Sequence, residues 1–422
     1  MEMQAQRMLE DAGYAFVQVE PWLPELRNHR PDLLGWAANA DGELVPWVIV
    51  EVKQGSNKPP QLALPQLARY RDLLGTVDHY VVIDDEWFRA DDGFRSVMRV
   101  DAPQSPRFGA AGLLADAGLV TSVLTSALWN GVDPRRGSDG SIIDKAAELV
   151  RSATEHGVEL APGEYAQVAP QAMFHAGRRL VAAAIERSRW EPIYTPNPVL
   201  VSAMAAFARQ KLAGTVVDPF AGLGTLLWAV AEEAVQQGAH VMLRGRECVP
   251  SLLKAAEAIA LSSPVPVRFE MGGNLLAPAA ADVIVSLPPL GMRLQSEGGP
   301  AELLNGERAR DGDVAIVDAI LRGLNPGGRA VVLVPSSFTF RARGEAYRRF
   351  LAENYRVAAL IGLEGALQPY TSISTVLMVI DHAPASGTFV AQLAADWEAQ
   401  LAPGGAALEA ALAHIEAPSA GS

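Results

Sequence analysis

Three groups of residues have the types and spacing that chemistry requires. The first is "DPFAGLGT", Asp218 to Thr225. Gly222 and Gly224 have no Cβ, so the backbone can turn sharply there and lie close to a ligand. Glu247 follows Gly222 by 25 positions, and its carboxylate can accept hydrogen bonds from two neighbouring hydroxyls. The second is "SLPPLG", Ser286 to Gly291, a proline pair at the end of an apolar run. The third is Asp32, Glu51 and Lys53. Glu51 and Lys53 are two apart, so in a strand both point to the same side. Carboxylate oxygens suit a hard divalent cation, and a nearby lysine can orient water or stabilise negative charge.

Each group needs an element to position it. "TVV" before Asp218 is a short β-branched strand, and "TLLWAVAEEA" after the glycines has helical composition. Strand, glycine turn and helix make the first unit of a dinucleotide-type fold, with unpaired N–H groups at the helix start. The spacing is not Gly-x-Gly-x-x-Gly, which argues against a nicotinamide cofactor. Apolar "VML" then ends at Gly245, Arg246 and Glu247, "VPVRFEM" is a further strand, and "ADVIV" runs into the proline pair. Residues 191–384 thus alternate strands with helices, the pattern of a parallel sheet covered on both faces. Residues 1–102 alternate short strand and helix patterns, with Gln66 and Tyr70 four apart on one helical face. Residues 103–190 are Ala-rich and helical. Residues 385–422 read as an Ala/Gly/Pro-rich tail with a helix around "GAALEAALAHIE".

Asp-Pro-Phe-Ala-Gly-x-Gly-Thr resembles motif I of S-adenosylmethionine (SAM)-dependent methyltransferases that act on nucleic acids. The resemblance implies a Rossmann-like domain in which Asp218, Pro219, Phe220, Ala221, Gly222, Gly224 and Thr225 wrap the methionine part of SAM. Glu247 then grips the ribose, about where such an acid is expected. Asn274 follows the next strand, where this fold contacts the adenine of the cofactor. A turn residue beside Gly272 and Gly273 is an equal reading of it. "YTPNPVLVSAMAAFA", with Tyr194, Thr195 and Pro196, resembles the segment before motif I in modification subunits of type I restriction systems. "NPGGRAVVLVPSSFTF" and "LQPYTSIST" continue the same series.

The proline pair stands where adenine-N6 methyltransferases carry Asn/Asp-Pro-Pro-aromatic. In that family the Asn or Asp oxygen and a Pro-Pro carbonyl accept the hydrogens of the amino group, which localises its lone pair. The aromatic residue stacks on the flipped base. Here Leu287 has no acceptor and Leu290 no aromatic face. Ser286, Pro288 and Pro289 are what remains of a methyl-transfer loop. A shift of one residue would turn Ser286 to the opposite side of its strand. Base methylation is expected to be weak or lost while SAM binding persists.

Pro31-Asp32, Glu51-x-Lys53 and Gln66-x-x-x-Tyr70, in that order, resemble the PD-(D/E)xK nuclease fold, especially the N-terminal domain of type I restriction subunits. The resemblance implies Mg²⁺ held by Asp32 and Glu51, with Lys53 and Gln66 as catalytic groups. Glu2 or Glu10 on the first helix is an additional candidate ligand.

The expected fold class is α/β: a Rossmann-like SAM-dependent methyltransferase domain at 191–384, a smaller α/β PD-(D/E)xK-like domain at 1–102, a helical connector at 103–190 and the tail at 385–422. The expected function is that of an adenine-N6 methyltransferase-like protein of a restriction–modification or phage-defence system, with an Mg²⁺-dependent nuclease domain. Its partners would be DNA and a specificity or other defence subunit. The alternative is a catalytically degenerate SAM- and DNA-binding scaffold. A cytosine-C5 methyltransferase is disfavoured, because the lone cysteine, Cys248, lies in the ribose-binding region. The composition, 49% hydrophobic and 20% charged, is that of a globular chain. No apolar run is long enough for a membrane span. A single cysteine fits a reducing cytoplasm. A net charge of −13 argues against a large nucleic-acid-coating surface but leaves room for a local basic patch.

Overall fold

The computed structural model describes residues 1–422 except 22, 27–28, 56–58, 131–141, 188–194, 273–279, 292–300, 310, 365–372 and 418–422. The chain divides into two compact units, Met1–Ser188 and Arg189–Ser422.

The first unit opens with helix α1 (Glu2–Asp11) and strands β1 (Phe16–Val19), β2 (Leu33–Ala38) and β3 (Leu44–Lys53), followed by α2 (Leu64–Leu74). Then come β4 (Asp78–Ile83), β5 (Glu86–Ala90) and β6 (Val97–Val100). The six strands form one mixed sheet in sequence order. Only β3 and β4 are parallel, because α2 provides the crossover that a parallel pair needs. β2 and β4 are buried throughout and β3 for most of its length, which is why they read as continuous apolar runs. Leu9 and Ala5 of α1 close one face over Val50, Tyr80 and Trp87. The unit continues with α3 (Ala117–Asn130), α4 (Ile142–His156), a hairpin of β7 (Val158–Ala161) and β8 (Glu164–Ala166), and α5 (Pro170–Arg187). In α4 the buried positions Ile143, Ala146, Ala147, Val150 and Ala153 recur at helical spacing.

The second unit runs α6 (Pro198–Ala208), β9 (Gly214–Asp218), α7 (Thr225–Gln237), β10 (Val241–Glu247), α8 (Pro250–Ala260), β11 (Val267–Met271) and β12 (Ala281–Ser286). A two-residue hairpin pair follows, β13 (Ala301–Glu302) with β14 (Arg308–Ala309), and then α9 (Gly312–Arg322), β15 (Leu324–Pro335) and α10 (Glu345–Asn354). The chain ends through β16 (Arg356–Leu363), β17 (Thr375–Asp381), β18 (Phe389–Leu393), α11 (Trp397–Leu401) and α12 (Ala406–Glu416). Eight strands make one Rossmann-like sheet in the order β11-β10-β9-β12-β15-β17-β16-β18. The first five are mutually parallel, and β17 runs against both of its neighbours.

The order of connection reverses between β9 and β12. In such a sheet the ligand crevice lies beyond the carboxyl ends of the strands at that point. Alternate residues feed two cores. Val216, Val283 and Val285 pack with α6, α7 and α12, while Val217 and Ile284 pack with α9 and α10. The region 385–422, read as an Ala/Gly/Pro-rich tail with one helix, supplies β18 and α11 besides that helix, α12; Trp397, Leu401, Leu408 and Leu412 join the α6–α7 side of the core. Among the described residues no helix is long and apolar enough to cross a membrane.

Candidate cofactor cleft and a charged cluster in the first unit

β9 ends at Asp218, whose Oδ1 accepts the N–H of Phe220 at 3.0 Å and so starts the glycine turn. Gly222 and Gly224 then adopt φ of +54° and +79°, a region that favours glycine. A Cβ on Gly224 would lie 2.8 Å from the Trp228 ring and 2.9 Å from Phe269, so a side chain there is excluded by packing as well. Trp228 in turn donates its indole N–H to the carbonyl of Leu223 at 2.7 Å. The loop is thus held from below by the first turns of α7.

β10 runs beside β9 with Gly245 opposite Asp218, which carries Glu247 two residues beyond it, to the rim of the same turn. One Glu247 oxygen accepts the N–H of Gly222 at 2.8 Å. The other accepts the N–H groups of Cys248 and Val249, each at 2.7 Å. A carboxylate has about four acceptor sites, so Glu247 is fixed by the backbone and keeps capacity for a hydroxyl. Asp218 is fully enclosed. Burial, and secondarily the Glu247 charge, push its carboxyl up to about 7, against the lowering effect of the Phe220 bond.

Asp218, Gly222 and Glu247 line a cleft of about 560 Å³, while Gly224 lies outside its lining; the volume is within the size range of small-molecule and cofactor sites. Thr195, Pro196, Asp218 to Gly222, Thr225 and Glu247 all contribute to its wall. Tyr194 and Asn274 lie outside the described residues. Sequence reasoning did not single out Arg246, Val249 and Leu252, which also line the cleft. The apolar Leu252 on the first turn of α8 was the available signal. A glycine loop, a helix start and a fixed carboxylate around a nucleoside-sized space fit SAM.

The proline loop closes the same cleft: Leu287, Pro288, Pro289 and Leu290 form part of its wall. Leu287 also packs against the core that contains Val283 and Val285. Ser286 faces away. It is fully buried and absent from the cleft lining, and its Oγ has no hydrogen-bond partner among the described residues. The expectation that Ser286 serves the loop is therefore corrected: strand alternation places it on the Ile284 side. A contact unforeseen from sequence holds the loop at its far end. Asp313, in the first turn of α9, accepts the N–H of Gly291 at 3.0 Å. Burial raises the Asp313 carboxyl above its ordinary range.

In the first unit, Asp32, Glu51, Lys53, Gln66 and Tyr70 come together. Lys53 is hydrogen-bonded to Glu51 and lies 3.7 Å from Asp32. Gln66 Nε2 donates to Glu51 at 2.9 Å and to the Tyr70 hydroxyl at 2.8 Å. Asp32 Oδ2 accepts the N–H of Val52 at 2.6 Å. Glu51 is wholly buried, and desolvation raises its carboxyl above the usual range against the opposing pull of Lys53. Burial likewise moves the Tyr70 phenol up to about 12. Glu2 and Glu10 do not join. Among the described residues no group of three or more His, Cys, Asp or Glu is placed to hold a metal. Asp32 and Glu51 are the two carboxylates of the cluster, and Lys53 is paired with both.

Comparison with known proteins decides the family of the second unit. The model of the N-6 DNA methylase family (N6_Mtase) matches residues 182–393, half of the chain. The chain belongs to the N-6 DNA methylase family. Membership implies SAM as cofactor. Comparison with curated proteins gives no match. Among solved structures, a Listeria monocytogenes protein described as a class I SAM-dependent methyltransferase is 16% identical at a TM-score of 0.53, over 70% of this chain and 98% of that one. That likeness shows the fold. A modification subunit of a type I restriction enzyme from Vibrio vulnificus YJ016 is 18% identical at 0.48, over 66% of this chain and 60% of that one. The type I methyltransferase subunit of Streptococcus thermophilus is 19% identical at 0.44, over 63% and 61%. This N-6 DNA methylase family member therefore spans about three-fifths of the length of those two subunits.

Proposed function

We propose that this N-6 DNA methylase family protein binds SAM and DNA as part of a restriction–modification or phage-defence system, and that its base methylation is weak or lost. One observation carries the reading. The cleft that unites Asp218, the glycine turn and Glu247 is closed by a Pro-Pro loop whose first side chain is Leu287. When bound there, SAM supplies an electrophilic methyl group. The chain's part is to position that group and activate the acceptor. The adenine amino group is a poor nucleophile until its hydrogens are accepted by fixed oxygens. Leu287 is an apolar wall at that place, and Ser286 points into the core. The test is calorimetric titration with SAM, then transfer of labelled methyl to adenine in DNA, with and without candidate partner subunits. SAM binding with background transfer is expected. Robust transfer by the chain alone would reject the loss of methylation.

We propose further that residues 1–102 form a PD-(D/E)xK nuclease-like domain, joined through the helical segment 103–190 to the methyltransferase-like domain. Its support is the convergence of Asp32, Glu51, Lys53 and Gln66 around one point. In this reading Asp32 and Glu51 hold Mg²⁺, Lys53 orients the attacking water, and Gln66 fixes Glu51. With Mg²⁺ or Mn²⁺ the protein should nick DNA, and Lys53→Ala should abolish nicking. Absence of cleavage with either metal would reduce this domain to a docking module. The protein as a whole would then be a SAM-binding scaffold, a second reading that Leu287 favours.

A further inference from the structure

The chain carries a net charge of −13, yet one short segment beside the cleft is strongly cationic. Between Phe340 and Arg349 there are four arginines, Arg341, Arg343, Arg348 and Arg349, against one acid, Glu345. The register locates this segment. Ser286 of β12 is paired with Val332 of β15. β15 therefore leaves the sheet at Pro335 on the same carboxyl edge, one strand over from the Pro-Pro loop, and the arginine segment follows directly. Side chains tie the two together. Asp313 holds Gly291 of the loop. Two residues earlier, Asp311 lies 3.9 Å from Arg341.

The four arginines do different work. Arg348 is half-buried: it donates to the carbonyls of Phe338 and Arg341 at 3.0 and 2.8 Å, and so fixes the turn that presents its neighbours. Arg341 and Arg349 have side chains 57% and 69% exposed. Their ion pairs, at 3.9 and 3.4 Å, are solvent-screened and weak. Arg343 is exposed and has no carboxylate partner among the described residues. Between them and the sheet, Phe340 presents a ring that is 69% exposed. Two turns of 3-10 helix, Ser336–Thr339 and Ala342–Gly344, hold the backbone. Exposed guanidinium groups beside one exposed aromatic ring match a phosphate backbone with an accessible base or sugar face.

We propose that Phe340, Arg341, Arg343 and Arg349 form a docking surface for the DNA phosphate backbone flanking the cleft. This rests on the reading of the protein as DNA-binding and assigns the surface that performs it. Arginines that neutralise phosphates release counterions, so each contact contributes about 0.9 to the slope of log K against log salt. The ring of Phe340 contributes affinity without changing that slope.

The test is fluorescence anisotropy of the full chain on labelled duplex DNA across a salt series. The triple variant R341A/R343A/R349A should weaken binding at least about tenfold at about 0.1 M salt and flatten the slope by about two to three. Phe340→Ala should weaken binding at least about fivefold, with the slope unchanged, on a duplex that carries an unpaired base on which the ring can stack. Arg343→Glu alone, at a site with no carboxylate partner among the described residues, should also weaken and flatten binding, so misfolding of the triple variant would not shield the proposal. SAM affinity by calorimetry should be the same in all of them. If the wild type binds DNA and both R341A/R343A/R349A and Arg343→Glu keep its affinity and slope, this surface is wrong while the DNA-binding reading stands. If the wild type binds SAM but no DNA at any salt, that reading fails and this surface with it.

Discussion

Asp218 is where the chemistry of a single side chain is most exposed to test. Its carboxyl titrates near 7 in the folded protein because burial disfavours the charged form. In the unfolded chain it returns to the ordinary value of 3.8. A carboxyl raised on folding contributes stability in full below the unfolded value, and loses it as pH rises through the folded one. The stability difference between wild type and Asp218→Asn, measured by chemical denaturation, should therefore shift toward the variant between about pH 4 and 7, by a few kcal/mol in total. Asparagine keeps an oxygen for the Phe220 N–H, so the comparison isolates the charge. A difference independent of pH would mean that Asp218 is ionised throughout.

Leu287 is testable in the opposite sense, by gain. The variant L287N/L290Y restores the acceptor and the ring to a loop already held by Asp313 and two prolines. Labelled-methyl transfer to DNA should rise above the wild-type background. It should cost about 1–3 kcal/mol of stability, because Leu287 packs on the core. No rise, with SAM still bound, would mean that more than this side chain separates the loop from activity. At this scale the sequence was legible wherever a backbone requirement fixed the residue type. Gly222 and Gly224 announced a turn that the structure shows at positive φ. Asp313 was illegible, because its contact with Gly291 joins residues 22 apart whose types say nothing of each other.

At the scale of elements, strand pairing brings the cleft together and a buried charge cluster fixes the opposite end of the sheet. Arg329 on β15 grips Asp381 on β17 through two bonds of 2.6 and 3.0 Å, and donates to the carbonyl of Phe207 on α6. Arg356 on β16 reaches the same carboxylate at 3.3 Å and a last-turn carbonyl of α12 at Ile415. Arg329 is 2% exposed, so removing its partner strands a buried cation. Asp381→Ala should cost about 3–5 kcal/mol, read as a fall in the denaturation midpoint of the second unit. A loss below about 1 kcal/mol would show that water enters this end of the sheet. The cluster was not predictable from sequence, since Arg329 and Asp381 lie 52 residues apart. β9, β10 and β12 could be read from apolar runs bounded by turn residues. β18 and α11 escaped because Ala, Gly and Pro dilute the apolar pattern on which such reading depends, whereas α12 falls on the helix read around "GAALEAALAHIE".

For the whole molecule, two compact units carry two sets of charged side chains. In the first unit, strand and helix periods bring Glu51 with Lys53, and Gln66 with Tyr70, to a common side, while the meeting of the two pairs with Asp32 was expected only from the resemblance of the ordered motifs. The arginine segment at 340–349 was hidden by the acidic total, which averages a local cationic surface away. The decision that matters for the account is whether the cleft of the second unit holds a sulfonium nucleoside. Calorimetric titration of the full chain with SAM tests it most directly. The account predicts binding at one site, weakened at least about tenfold in Glu247→Gln, which exchanges one carboxylate oxygen for an amide donor, and retained in Leu287→Asn. No heat of binding in the wild type, or equal affinity in Glu247→Gln, would contradict it.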